Sequence, residues 1–214
     1  MSSTRTPVRA ALAALAVGAA FALTACGGDS GTNQEGHAAA PAPSATASAG
    51  AHNAQDVAFA QGMIPHHRQA LDMAAQAATK ASSTQVKELA QRIGKAQDPE
   101  IGTMSGWLTS WGEEVPQPGA TQHSAGHSGQ SGHSGHAGMP GMMDDEDMAK
   151  LEKASGKAFD TLFLQLMTEH HEGAVRMAMT EQTEGRYGPA KAMADAIVTA
   201  QKAEIEEMRK LLAG

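Results

Sequence analysis

The sequence contains itself twice. Displaced by 104 positions, DVAFAQGMIPHHRQALDMA, from Asp56 to Ala74, falls without a gap on DTLFLQLMTEHHEGAVRMA, from Asp160 to Ala178. Asp56 pairs with Asp160, Phe59 with Phe163, Gln61 with Gln165 and Met63 with Met167. His66-His67 falls on His170-His171, Ala70 on Ala174, and Met73-Ala74 on Met177-Ala178. The register persists through Lys87 and Lys191, Ala90 and Ala194, Ile93 and Ile197, and Gln97 and Gln201. It then carries Glu100-Ile101 onto Glu204-Ile205, Met104 onto Met208 and Leu108 onto Leu212. Self-similarity of this kind marks a duplicated structural unit, so whatever one half folds into, the other must fold into as well.

Each unit is rich in Ala, Leu, Met, Gln, Glu and Lys, which are helix formers. Alternating β-branched and aromatic runs are nearly absent. With only 4 Phe, 2 Trp and 1 Tyr in the chain, the core must be built from Ala, Leu, Ile and Met. Each unit therefore reads as a helical hairpin, with turns near Ser82-Ser83 and between Gly185 and Pro189. Two hairpins packed together predict an all-α four-helix bundle, with hairpins over 54–115 and 144–214. Pro65 stands where the second unit has Glu169, and Pro99 where it has Ala203. Each removes a backbone donor and is expected to kink or interrupt its helix, making the halves unequal.

The rest of the chain reads as targeting and linker. Arg5 and Arg9 precede an apolar run from Ala10 to Leu23, and small residues then lead to Cys26. That is the layout of a secretory signal over 1–25, and its ending resembles a bacterial lipobox, with Cys26 as the lipidated residue. Cys26 is the only cysteine, so an intramolecular disulfide is excluded and no thiol is left for a metal site. Residues 26–53 are mostly Gly, Ala, Ser, Pro and Thr and read as a flexible tether. Residues 116–143 form a second such stretch, rich in His, Gly and Met, joining the hairpins. The formal net charge of −7 becomes more negative once the signal arginines are lost. Nucleic acid, whose binding rests on Lys and Arg, is a poor partner for such a chain, whereas cations are suitable ones. The expected location is extracytoplasmic, with membrane attachment through lipid alone.

On a helical wheel at about 100° per residue, Phe59, Ala70, Ala74 and Ala77 share the stripe of Met63 to within about 40°. His67 and His66 lie about 40° and about 60° to either side, so the doublet straddles the inward face, and Asp56 joins the stripe. Imidazoles aimed into a bundle need partners. They are either hydrogen-bonded core residues or ligands, and their duplication in register favours ligands. Di-iron bundles use Glu-x-x-His, but this chain has Met63-x-x-His66 and Met167-x-x-His170. Soft thioether with borderline imidazole suits copper, above all Cu(I), more than zinc or harder divalent ions. Methionine on an apolar stripe is also ordinary core filler, so Met73, Met104, Met177 and Met208 stay open on this ground. In the connecting loop, His123, His127, His133, His136, Met139, Met142 and Met143 form a compositional, weakly selective metal-binding tract. No nucleophile elbow or P-loop is present, so no catalytic residue is assigned.

The doubled pattern D-x-x-F-x-x-x-M-x-x-H-H-x-x-A-x-x-M-A resembles the bacterial family called domain of unknown function 305, over roughly Asp56 to Leu212 outside the loop. The resemblance implies a ferritin-like helical fold, an exported or lipid-anchored protein, and copper binding. By motif position it points to Met63, His66, His67 and Met73 with Met167, His170, His171 and Met177. The expected function is copper sequestration, or transfer to a metal-exchange partner protein. A metallo-oxidase and a structural or pH-sensing envelope partner are the alternatives.

Overall fold

The computed structural model describes residues 50–118 and 139–214, which form five helices. These are α1 (Ala54–Lys80), α2 (Thr84–Trp111), α3 (Asp145–Lys153), α4 (Gly156–Glu184) and α5 (Gly188–Ala213). Cys26, the expected signal and most of the expected tether lie outside the described residues, as do His123, His127, His133 and His136. Helices α1 and α2 pair as one hairpin, α4 and α5 as the other, and α1 packs on α4. The all-α, two-hairpin bundle expected from the repeat is the observed architecture. Among the described residues, no helix is long and apolar enough to cross a membrane.

Two features depart from expectation. The short helix α3 precedes the second hairpin. Its start is fixed by Asp144, whose side chain accepts from Asp147 N, and three acidic residues occupy its first turn. Only Leu151 of α3 is fully buried, so there is no apolar period to betray it. The prolines, moreover, do not interrupt their helices: α1 runs through Pro65 and α2 through Pro99. Met63, Ile64, His66 and His67 are all buried on either side of Pro65, and that packing outweighs one missing backbone bond.

The repeat is visible as reciprocal bracing. Asn53 caps α1, accepting from Gln55 N and Asp56 N, while Asp56 Oδ2 accepts from Asn53 N at 2.5 Å. The other Asp56 oxygen accepts from Arg186 N and Tyr187 N, in the α4–α5 turn. Asp160, its repeat counterpart, accepts from Ser82 N, Ser83 N and the Ser82 hydroxyl, in the α1–α2 turn. Each motif helix thus ties down the turn of the opposite hairpin, which places α1 and α4 antiparallel.

The antiparallel arrangement sorts the core into two apolar clusters. One holds Met73, Leu89, Ile93, Phe159, Phe163, Met167, Ile205 and Met208. The other holds Phe59, Met63, Ile64, Met104, Leu108, Ala174, Ala178 and Ile197. Along α1 and α4 the histidine doublets fall between the two, so a polar layer separates them.

One charged group breaks the symmetry of the braces. Glu181 occupies the position of Ala77 in the first unit, is fully buried, and has no hydrogen-bond partner at either carboxylate oxygen. Burial, and then the adjacent Asp56 carboxylate, push its carboxyl up to about 8. Burial alone would raise Asp56 too, but the hydrogen bond from Tyr187 N and its fellow donors hold it below the ordinary value. Because the folded value of Glu181 lies above the ordinary 4.5, its contribution to stability is fully present below that pH and lost as pH rises through about 8. Glu181→Gln should therefore stabilise the protein at about pH 9 by roughly 1–3 kcal/mol, the penalty of a buried unsatisfied group. Near pH 4 it should change little. Urea unfolding across this range checks it, and an unchanged difference between variant and parent would refute it.

Candidate metal centre

Adjacent residues on a helix point about 100° apart, so the two rings of a doublet leave in different directions. His66 turns toward α4, where its ring centroid lies 3.8 Å from that of His170, tilted by 43°. His67 turns toward its own hairpin partner, placing Nε2 2.7 Å from Glu100 Oε2 on α2. The second unit repeats this: His171 Nε2 lies 2.7 Å from Glu204 Oε2 on α5. All four histidines are fully buried, while the two glutamates keep 24% and 18% of their side-chain surface. The first histidine of each doublet thus reaches across the bundle and the second stays within its hairpin.

These partners set the tautomers. A carboxylate only accepts, so His67 and His171 donate from Nε2, which leaves the lone pair of a neutral ring on Nδ1. His66 donates from Nε2 to the carbonyl of Pro140 at 3.1 Å and likewise turns its lone pair to Nδ1. All three of these Nδ1 atoms, and both nitrogens of His170, are buried without a partner. Burial pushes His66 down to about 3 and holds His170 well below the ordinary imidazole value, with neighbouring histidines adding to both shifts. The His66–His170 pair is therefore neutral, with basic nitrogens free. Metal-ligating histidines characteristically donate their other ring N–H to a carboxylate or a backbone carbonyl, and His66, His67 and His171 each make a bond of that kind. Among the described residues no three His, Cys, Asp or Glu side chains form a set able to hold a metal ion. A metal here would need two imidazoles together with another donor type.

The Pro140 carbonyl belongs to a strap, residues 139–143, that crosses the histidine layer. Gln69 clamps it, with Nε2 donating to Met143 O and Oε1 accepting from Met143 N, both at 2.8 Å. The repeat counterpart of Gln69 is Gly173, where a Cβ would lie 1.9 Å from Pro140 O. Gly141, at φ 80°, in turn leaves no room for a side chain against Glu169 O. Close approach at two glycines is what lets the strap reach His66.

The expected thioethers are divided between the two sides of the layer. Met63 and Met177 belong to one cluster, Met73 and Met167 to the other. Met63, Met73 and Met167 are fully buried, and Met177 is partly exposed. Of the loop methionines, Met143 is buried in the core, while Met139 and Met142 stay partly exposed. The reading of the sequence missed Glu100, Glu204, Gln69 and Pro140. The repeat did align Glu100 with Glu204, each 33 residues beyond the second histidine of its doublet, and that fixed spacing was the available signal.

Fold and site together define a class: a ferritin-like bundle of duplicated helical hairpins with a buried histidine layer between apolar ends. Residues 56–212 match the family described as Domain of unknown function (DUF305), and the chain belongs to that family. A DUF305 protein of Streptomyces coelicolor, described as secreted, is 35% identical, with 74% of this chain and 92% of that one covered at a TM-score of 0.63. A DUF305 fragment from Deinococcus radiodurans is 30% identical, covering 75% and 97%, also at 0.63. CopM in its Cu(II)-bound form is 31% identical, covering 74% and 95%, at 0.59. CopM has also been solved in a Cu(I)-bound form, with 30% identity, coverage of 73% and 94%, and a TM-score of 0.58. No curated protein matches the chain.

Depressed imidazole basicity has a consequence for stability. The unfolded chain binds protons at His66 below about 6.5, whereas the folded chain does so only near 3. Stability is therefore present above about pH 6.5 and is lost as pH falls toward about 3. Replacing this pair, His66→Leu with His170→Leu, should make the metal-free protein less acid-sensitive than the parent over that window. Chemical unfolding at a series of pH values measures this, and parallel profiles for the two proteins would count against it.

Proposed function

We propose that this chain is an extracytoplasmic copper-binding protein, anchored through lipid on Cys26, that sequesters Cu(I) or passes it to a partner protein. The observation that carries the reading is the set of buried, unpartnered nitrogens whose tautomers are fixed by Glu100, Glu204 and the Pro140 carbonyl. Leaving polar atoms buried without partners is unfavourable, and a soft or borderline cation is the partner their chemistry suits. Cu(I)- and Cu(II)-bound CopM share the fold at about 30% identity, which supports copper as the cargo.

In this reading His66, His67, His170 and His171 supply imidazole nitrogen. Met63 and Met177 on one side, with Met73 and Met167 on the other, supply the neutral thioethers that favour Cu(I) over zinc and harder divalent ions. His123, His127, His133 and His136, with Met139, Met142 and Met143, collect ions and raise their concentration near the bundle. The residue plan of the expected domains, with a signal over 1–25, a tether over 26–53 and a loop over 116–143, fits such a protein. A pH-sensing role is less well matched, since His66 does not charge until about pH 3.

Competitive Cu(I) titration against a chromophoric chelator tests the proposal. Binding should persist in a variant lacking residues 119–138 and be lost when all four histidines are changed to alanine. The milder pair Glu100→Gln with Glu204→Gln, which leaves every ligand in place, should weaken binding by roughly 10–100-fold, as loss of the groups that orient ligating imidazoles does. If only the loop deletion lowers affinity, the buried histidines are structural and the proposal fails.

A further inference from the structure

Duplication gives every surface charge a counterpart, and the exposed pairs have diverged in sign. Where both units carry a charge, they agree at Asp56 and Asp160, Lys87 and Lys191, and Glu100 and Glu204. They are opposed at Arg68 and Glu172, Asp72 and Arg176, Lys80 and Glu184, and Asp98 and Lys202. The four acids that agree do the same work in both halves, bracing a turn or holding a histidine. Among the opposed charges, Arg68 donates to Pro116 O, Lys80 to Glu152 O, and Glu172 pairs with Arg209. Asp72, Asp98, Arg176 and Lys202 are exposed, and no ion pair among the described residues engages them. Arg176 and Lys202 line a hollow between α4 and α5 that is floored by Val175 and Ile205. Glu172 and Glu206 line it too, the first of them tied to Arg209. Asp72 and Asp98 hold the places of Arg176 and Lys202 on the α1–α2 flank.

The relief of the two flanks is opposed as well. Met179, one turn beyond Val175 on α4, is 49% exposed. Its counterpart Ala75 lies in a hollow of about 520 Å³ between α1 and α2, with Leu71, Ala78, Ala90, Gly94 and Asp98. Gly94 stands where the other flank has Val198. Lys87 and Lys95 also line this hollow, and Asp195 of α5 falls at the counterpart of Gln91 between them.

We propose that the α1–α2 flank of one copy is a docking surface for the α4–α5 flank of a second copy, with Met179 seated in the hollow around Ala75. Arg176 and Lys202 then face Asp72 and Asp98. These four charges set acid against acid or base against base when like flanks meet, and attract when unlike flanks do. Exposed ion pairs contribute little alone, so apolar burial holds the contact and charge selects which flank meets which. Joining unlike flanks leaves one of each free, so association continues past two copies unless it closes on itself. The contact uses no bound ion, so it and the copper-binding reading can fail separately.

Sedimentation velocity of the metal-free chain from Gly27 onward, at physiological salt, tests this. The mass of the parent should rise with concentration. Asp72→Lys with Asp98→Lys leaves two basic flanks, and Arg176→Glu with Lys202→Glu leaves two acidic ones, so each variant alone should stay monomeric. An equimolar mixture of the two should associate as the parent does, because every basic flank then meets an acidic one. Met179→Ala and Gly94→Val, which install the residues of the other unit, should each abolish association. A Cβ on Gly94 meets only Leu71 Cδ2, at 3.8 Å, so the fold accepts the change, and unchanged circular dichroism checks it. A parent that is monomeric throughout, variants that associate like the parent, or a mixture that stays monomeric would each overturn the proposal.

Discussion

Four fully buried imidazoles in one layer of the bundle, each with a nitrogen that no protein group satisfies, are the constraint around which the rest is arranged. A buried nitrogen without a partner is unfavourable, and burial also keeps His66 and His170 from charging. The fold offsets this with an apolar cluster on either side of the layer and with the bonds from three Nε2 atoms to Glu100, Glu204 and the Pro140 carbonyl. Methionine, isoleucine and phenylalanine fill these clusters, and the alanines at 70, 74, 174 and 178 let the motif helices pack closely beside the rings.

Duplication supplies the geometry and divergence supplies the asymmetry. Asp56 and Asp160 each brace the opposite turn, and His67 and His171 each bind a glutamate of their own hairpin at the same distance. Those paired interactions fix the helices in register. The diverged positions are Gly62 against Leu166, Gln69 against Gly173, and Ala77 against Glu181. The first two admit and hold the strap on one side only. The third places a buried carboxyl beside Asp56, at one end of the bundle only.

Long-period features were legible in the sequence because the repeat displayed them twice. The helical hairpins, the inward-facing doublets and the two turns all follow from the offset and the spacing of apolar residues. Pro65 does not interrupt α1: its local penalty is readable from the chain, whereas the burial of Ile64 and His66 around it is a tertiary fact. Helix α3 was hidden for the opposite reason: its caps and charges are local, but a single buried Leu151 gives no period. Glu100 and Glu204 looked like two more surface glutamates on helices of mixed charge. Only their common distance from the doublets set them apart. The strap could not be read at all, since its contacts depend on which glycines of the bundle face it.

On the copper-binding proposal, the placement of the glutamates bears on release as much as on capture. Imidazole and thioether donors bring a bound cation no negative charge, and an unbalanced charge in a dry layer is strongly unfavourable. Glu100 and Glu204 place negative charge one imidazole away from such a cation, with the ring carrying the proton between them. Both carboxylates retain contact with water. When no cation is bound they remain solvated, so unloading does not strand a buried charge. A site built from carboxylates inside the layer would lack this property, because emptying it would leave anions in apolar surroundings. The proposed site, with no carboxylate inside the layer and balancing charge at its edge, would fill and empty without unfolding the bundle.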